Sequence, residues 1–189
     1  MFYSIARWVS HGINPAGVAL VLWICWWTYH PDEGGVVILG VLFYIVLPAL
    51  SLLYGLRRGR MDQLYPTVRQ QRNELLLMGA VSYGLGAIVL WIVHPDLLLL
   101  IAGISFTLAT LLVFCINLFW KISIHCVGVG GAAVLLFSTV GIGTAWPGVL
   151  IALLVGWARL HLGVHTVLQV IAGFSLGAGV SLAVYWVVI

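Results

Sequence analysis

Polar positions in this chain fall into short clusters separated by long, continuous apolar runs. The runs occupy roughly residues 14–30, 35–56, 74–93, 97–119, 123–141, 146–160 and 165–188. A helix crossing the hydrocarbon core of a bilayer needs about 20 apolar residues. The pattern therefore predicts an all-α fold: a polytopic transmembrane helical bundle of six to seven spans, the first and sixth runs being short. The breaks between runs carry turn chemistry, at His30-Pro31-Asp32-Glu33-Gly34-Gly35, at His94-Pro95-Asp96 and from Gly141 to Pro147. The one long polar stretch runs from Leu56 to Glu74, and no repeat or low-complexity tract interrupts the series.

Composition narrows the class. Of the 189 residues, 63% are hydrophobic and 7% charged, whereas an ordinary soluble domain has about a quarter of its residues charged. An ordinary soluble domain is excluded, and the length fits a single integral membrane domain over 1–189. The net charge of +3 matters less than where the charges stand, and no nucleic-acid partner is expected. Cys25, Cys115 and Cys126 all lie in apolar surroundings and read as small buried residues, not a disulfide frame. Arg7 and His11 precede the first run, but no small-residue cleavage pattern closes it, so it is expected to be retained.

If all seven runs span, the N-terminus and the loops after the second, fourth and sixth runs share one face. Every basic residue then falls on that face: Arg7, Arg57, Arg58, Arg60, Arg69, Arg72, Lys121 and Arg159. The opposite loops hold Asp32, Glu33 and Asp96. The positive-inside tendency makes the basic face cytoplasmic, although a site for phosphate would gather cations whichever way it pointed.

The same parity places three polar clusters on one face: Asp62 to Arg72, Lys121 to His125, and Arg159 to Gln169. Ionisable groups at the edge of apolar runs are costly, and by default they mark function. In the third cluster Arg159 is followed after five residues by His165 and after three more by Gln169. In the second, Ser123 and His125 flank Ile124. In the first, Arg72 precedes Asn73, and Tyr65 stands seven residues before Arg72. Over roughly residues 62–177 the chain thereby resembles the type 2 phosphatidic acid phosphatase superfamily of membrane lipid phosphatases. The family's three motifs are Lys-x6-Arg-Pro, Pro-Ser-Gly-His and Ser-Arg-x5-His-x3-Asp. Here Tyr65 replaces the lysine and Asn73 the proline of the first motif, Ile122 the proline and Ile124 the glycine of the second, and Ala158 the serine and Gln169 the aspartate of the third.

The resemblance implies roles residue by residue. His165 would be the nucleophile, taking the phosphoryl group as a phosphohistidine. His125 would protonate the leaving oxygen. Arg159, Arg72 and Ser123 would hold the phosphoryl oxygens, with Arg69 nearby and Lys121 as a substitute for the missing lysine. Gln169, four residues after His165, would orient its imidazole through Nδ1 without offering the aspartate's charge. Arginine forks and a histidine pair suit phosphoryl transfer, which is mostly positioning and charge stabilisation.

Plainer readings stand beside these. His165 and Arg159 can be interfacial caps reaching for headgroups, Arg69 and Arg72 a headgroup patch, and Asp62 a local neutraliser of Arg60 or Arg69. His161 and His165 have an i, i+4 spacing used by metal ligands, but no third ligand follows, so neither metal nor cofactor is expected. His11, His30 and His94 read as interfacial. Gly128, Gly130, Gly131, Gly173 and Gly177 read as packing surfaces for close helix contact. The leading functional expectation is a membrane-embedded phosphatase acting on a lipid phosphate or polyprenyl (di)phosphate. The alternative is a catalytically silent relative that binds anionic lipid or a partner protein. A small transporter is disfavoured, because its charges should lie at mid-membrane.

Overall fold

The structure, a computed structural model, describes residues 2–61, 68–141, 143 and 145–189. Asp62 and Tyr65 lie outside the described residues. All regular structure among the described residues is helical: α1 (Phe2–Gly12), α2 (Pro15–Tyr29), α3 (Gly34–Arg57), α4 (Gln71–Val93), α5 (Leu97–Asn117), α6 (Ile124–Val140), α7 (Ala145–His161) and α8 (Val167–Val188). Every apolar run forms a helix, and α1 is an addition that the run pattern did not predict.

Fewer of the described helices reach spanning length than the pattern predicts. By length and composition, α3, α4, α5 and α8 suffice to cross a membrane. Helices α1 and α2, bent by 56° at their junction, make a fifth span if taken as one. The apolar stretch of α6, Ile124–Ser138, rises only about 22 Å at 1.5 Å per residue, against a core of about 30 Å. Gly141, at φ 93°, closes that helix in a conformation that glycine adopts most readily. The apolar stretch of α7, Trp146–His161, is similarly short. The exposed faces of α3, α4 and α5 carry Leu50, Leu53, Ile88, Ile92 and Leu108, as expected where a helix faces lipid. Cys126 is buried as expected, but Cys115 is exposed on α5 and Cys25 half-buried, and all three are free.

The chain forms two compact units, Met1–Leu22 with Lys121–Ile189, and Trp23–Trp120. The first unit is built on the crossing of α6 and α8. A Cβ on Gly177 would meet the Val127 carbonyl oxygen at 2.0 Å, and one on Gly130 would meet that of Phe174 at 2.5 Å. Glycine at these positions lets the two backbones touch, so packing and not hydrophobic segregation holds the pair together. Nearer the start of both helices, Gly173 lies against Ser123 and Cys126. Val18, Val129, Ala132, Val155 and Val170 fill the core around Cys126.

Helix α1 packs along α7. Its buried residues are Ala6 and Ser10, four apart, while Phe2, Tyr3, Ile5 and Trp8 are exposed. A helix with one aromatic face and one narrow small-residue edge suits a membrane interface. Asn14 ends α1 and starts α2: its amide donates to the His11 carbonyl at 2.8 Å and its Oδ1 accepts from Gly17 N at 2.8 Å. Pro15 follows at the first helical position, where its missing N–H costs nothing.

In the second unit an aromatic cluster joins Trp23, Tyr44, Tyr83 and Phe106. Within α3, Leu42–Val46 widens into a π turn, in which Leu47 N–H reaches back to Leu42 O. Pro48 follows directly and supplies no N–H to the Tyr44 carbonyl, a local cause for the widening. The Ser82 hydroxyl donates to the Phe43 carbonyl at 2.6 Å. Glu33 ties two loops together, accepting from Trp26 Nε1 at 2.9 Å and facing His30 and His94 at 3.4 Å each. These two histidines thus have a local structural partner.

Candidate functional site

Helix α7 ends at His161, and Gly163, at φ 66°, turns the chain out of it. His165 therefore sits in the connection before α8 and does not share a helical face with His161. This corrects the i, i+4 reading of that pair: the exposed His161 stacks on Trp157 instead, with ring centroids 5.3 Å apart. No group of three metal-ligating side chains occurs among the described residues.

Thr166 caps α8 through a capping box. Its hydroxyl accepts from Gln169 N at 3.3 Å, and its own N–H donates to Gln169 Oε1 at 3.2 Å. A backbone N–H can only donate, so the side-chain atom it meets must be the amide oxygen. That oxygen stands 3.0 Å from His165 Nδ1. Since Oε1 can only accept, Nδ1 carries a proton. The cap that starts α8 thus also holds the Nδ1–H of a buried imidazole.

Ser123 occupies the N-cap position of α6, yet its side chain makes no cap bond. A serine there usually turns its oxygen onto the first free amides of the helix. This hydroxyl is instead fully buried with no nitrogen or oxygen partner, and the Cys126 thiol beside it is only a weak hydrogen-bonding group. Ser123 N donates to the Gln169 carbonyl at 3.4 Å, which joins the start of α6 to the start of α8. Two residues on, the buried His125 places Nε2 at 3.1 Å from the Ser10 carbonyl. A carbonyl only accepts, so this nitrogen carries its proton.

Arg159 stands in the last turn of α7, where the helix dipole favours a cation. Its Nη1 donates to the Ser10 hydroxyl at 2.5 Å, and the charge also lies within electrostatic reach of Cys126. Its Nε is buried and has no acceptor. Each buried donor without a partner costs about 1–3 kcal/mol, and native proteins seldom keep such groups without a use for them. Here Ser123 and Arg159 both present such donors in the same unit as His125 and His165, each ordered by its own hydrogen bond. That is the chemistry of an oxyanion-binding site.

The structure therefore gathers Ser123, His125, Arg159, His165 and Gln169 in one unit, and adds Ser10 from α1. Sequence reasoning missed Ser10; the available signal was the Ala6–Ser10 pair of small residues opposite an aromatic face. Lys121 is half-buried in the turn before α6. Arg69 and Arg72 belong to the second unit. Arg69 Nη1 donates to the Leu118 carbonyl at 2.5 Å, and the Arg69 carbonyl accepts from Asn117 Nδ2 at 2.9 Å. Arg72 is buried near Asn73, whose Oδ1 accepts from the same Asn117 amide at 2.7 Å. In that setting Arg69 helps close the C-terminal end of α5, satisfying a carbonyl that the helix leaves open.

Compared with models of known protein families, with curated proteins and with solved structures, the chain matches none.

Proposed function

We propose that the chain is a membrane-embedded lipid phosphatase, hydrolysing a phosphomonoester or diphosphate of a phospholipid or polyprenyl lipid through a phosphohistidine. The observation that carries this reading is the buried, acceptor-poor donor set at Arg159 and Ser123, in one unit with an imidazole whose Nδ1–H is held by Gln169. The resemblance of the Arg159, His165 and Gln169 spacing to the type 2 phosphatidic acid phosphatase superfamily supports it independently.

The chemistry runs in two displacements. His165 Nε2 attacks phosphorus, the bond from phosphorus to the lipid oxygen breaks, and the His125 imidazolium, its Nε2–H held by Ser10, gives that oxygen its Nδ1 proton. Water then attacks the phosphohistidine, the P–N bond breaks, inorganic phosphate leaves, and the water proton returns to His125. Arg159 and Ser123 donate to the phosphoryl oxygens, where charge must be balanced throughout. Lys121 is proposed as a further cation for the substrate's phosphate. Gln169 holds the nucleophile but adds no negative charge to its imidazolium, which favours a substrate with a good leaving group such as a diphosphate. With α2, α6 and α7 counted as short crossings the span number returns to seven, and the basic residues of the site's own unit, Arg7, Lys121 and Arg159, favour a cytoplasmic site face.

The alternative, a silent binder of anionic lipid or a partner, is favoured by one observation: Arg159 and His125 both already contact Ser10. Phosphate release by purified protein from a panel of lipid monophosphates and diphosphates separates the two readings. Release is expected, undiminished by strong chelators, because histidines and arginines take the place of a carboxylate-rich metal shell. No release from any lipid would leave the binder. Release that requires one divalent ion would replace the phosphohistidine route.

Gln169 gives a second check on the same substrates. Gln169→Asp should keep or raise the rate, since a carboxylate both holds Nδ1–H and stabilises the imidazolium. Gln169→Leu removes the acceptor from His165 and from Thr166 N–H, and should lower the rate about tenfold or more. A leucine variant as fast as wild type on monophosphate and diphosphate alike would make Gln169 a capping residue only.

A further inference from the structure

The Ser10 hydroxyl accepts from Arg159 at 2.5 Å, and it is the only polar side-chain group on the buried edge of α1. An accepted hydrogen bond leaves the hydroxyl's own proton still to be placed. Ser138 and Ser51 return that proton to their own helix, to the Val134 and Pro48 carbonyls. Ser10 makes no such bond, and the described residues supply no acceptor for it, although the residue is only 6% exposed. Its carbonyl, meanwhile, faces His125 Nε2. One residue of an interfacial helix thus touches both the cation and the acid of the proposed reaction, with a donor left over. Arg159 Nε has no acceptor, and Ser123 Oγ has none but the weak Cys126 sulfur; these are the other buried donors of this cluster.

We propose that Ser10 is a phosphoryl-binding residue of this site: its hydroxyl, held by Arg159, donates to a phosphoryl oxygen, and its carbonyl keeps the proton of His125 on Nε2. This rests on the phosphatase reading. The set of donors on the bound oxyanion is then Arg159, Ser123 and Ser10, contributed by α7, the start of α6 and α1. Helix α1 becomes part of the site and not only an interfacial anchor. Because its other face carries Phe2, Tyr3, Ile5 and Trp8, Ser10 meets the phosphoryl group at headgroup depth.

The test compares wild type, Ser10→Ala, Ser10→Thr and, as a control, Ser138→Ala, all as full-length protein in vesicles. The readouts are steady-state kinetics, the inhibition constant of inorganic phosphate, and the protection of the fold against heat by inorganic phosphate. Ser10→Ala should weaken phosphate inhibition about tenfold or more, as expected for a lost hydrogen bond to a charged group, and remove the thermal protection. Ser10→Thr should restore both to within a few fold, and Ser138→Ala should match wild type. Ser10→Ala that keeps the wild-type inhibition constant and protection would overturn the proposal, even with a lowered melting temperature, because that is what a purely structural hydroxyl predicts. Absence of turnover in wild type counts against the phosphatase reading alone. The protection arm still decides Ser10: phosphate protection in wild type that is lost in Ser10→Ala supports it, and no protection in wild type overturns it.

Discussion

Replacing His165 by alanine should abolish lipid phosphate hydrolysis, with a loss on the order of 10⁴-fold or more, as when a covalent nucleophile is removed. The fold should survive. His165 lies in the connection between α7 and α8, outside the close α6–α8 crossing at Gly130 and Gly177. The capping box of α8 is made by Thr166 and Gln169 without help from the imidazole. The variant should therefore extract from membranes and melt much like wild type, while phosphate release falls to background. A phosphoenzyme trapped from wild type should survive alkali and decay in acid, as a P–N bond does, and should be missing from His165→Ala. Near-wild-type release by that variant would remove His165 from the chemistry, and with it the phosphohistidine.

Much of this arrangement was legible in the sequence, for physical reasons that differ from residue to residue. Apolar runs mark buried or lipid-facing helices whatever their partners, so each run could be assigned to a helix. Their lengths were less legible. Where α6 ends depends on Gly141 adopting a positive φ, a backbone choice that hydropathy does not record. The relation of Gln169 to His165 followed from their spacing, but through a capping box and not along a helix, because α8 starts at Val167. Spacing alone also paired His161 with His165, and the turn at Gly163 undid that pairing. Helix α1 was illegible because it is amphipathic and not continuously apolar, so the contribution of Ser10 was hidden with it. The placement of Arg69 depends on Asn117, which lies 48 residues away in the chain, a contact that no local pattern announces.

Arg159→Lys should cost about 10- to 100-fold in kcat/KM, although the charge is kept. The reason lies in how the guanidinium is used. Nη1 is committed to Ser10, Nε faces a buried position with no protein acceptor, and the planar fork can serve two phosphoryl oxygens at once. A lysine ammonium is a single point on a flexible stem. It can keep the contact to Ser10 or meet one oxygen, but it has no counterpart to Nε, and a hydrogen bond to a charged group is worth about 1.5–3 kcal/mol. Arg57→Lys is the matched control: Arg57 ends α3 on an exposed face and takes no part in the cluster, so its substitution should leave kcat/KM within about twofold, in line with the small effect of most surface changes. The decisive measurement is kcat/KM for both variants on one diphosphate lipid in vesicles of fixed composition. Equal losses would mean that the basic residues act as a diffuse attraction for anionic lipid, for which charge alone matters. A loss confined to Arg159 would mean that guanidinium geometry is required, as it is where an anion is held at a fixed place for attack.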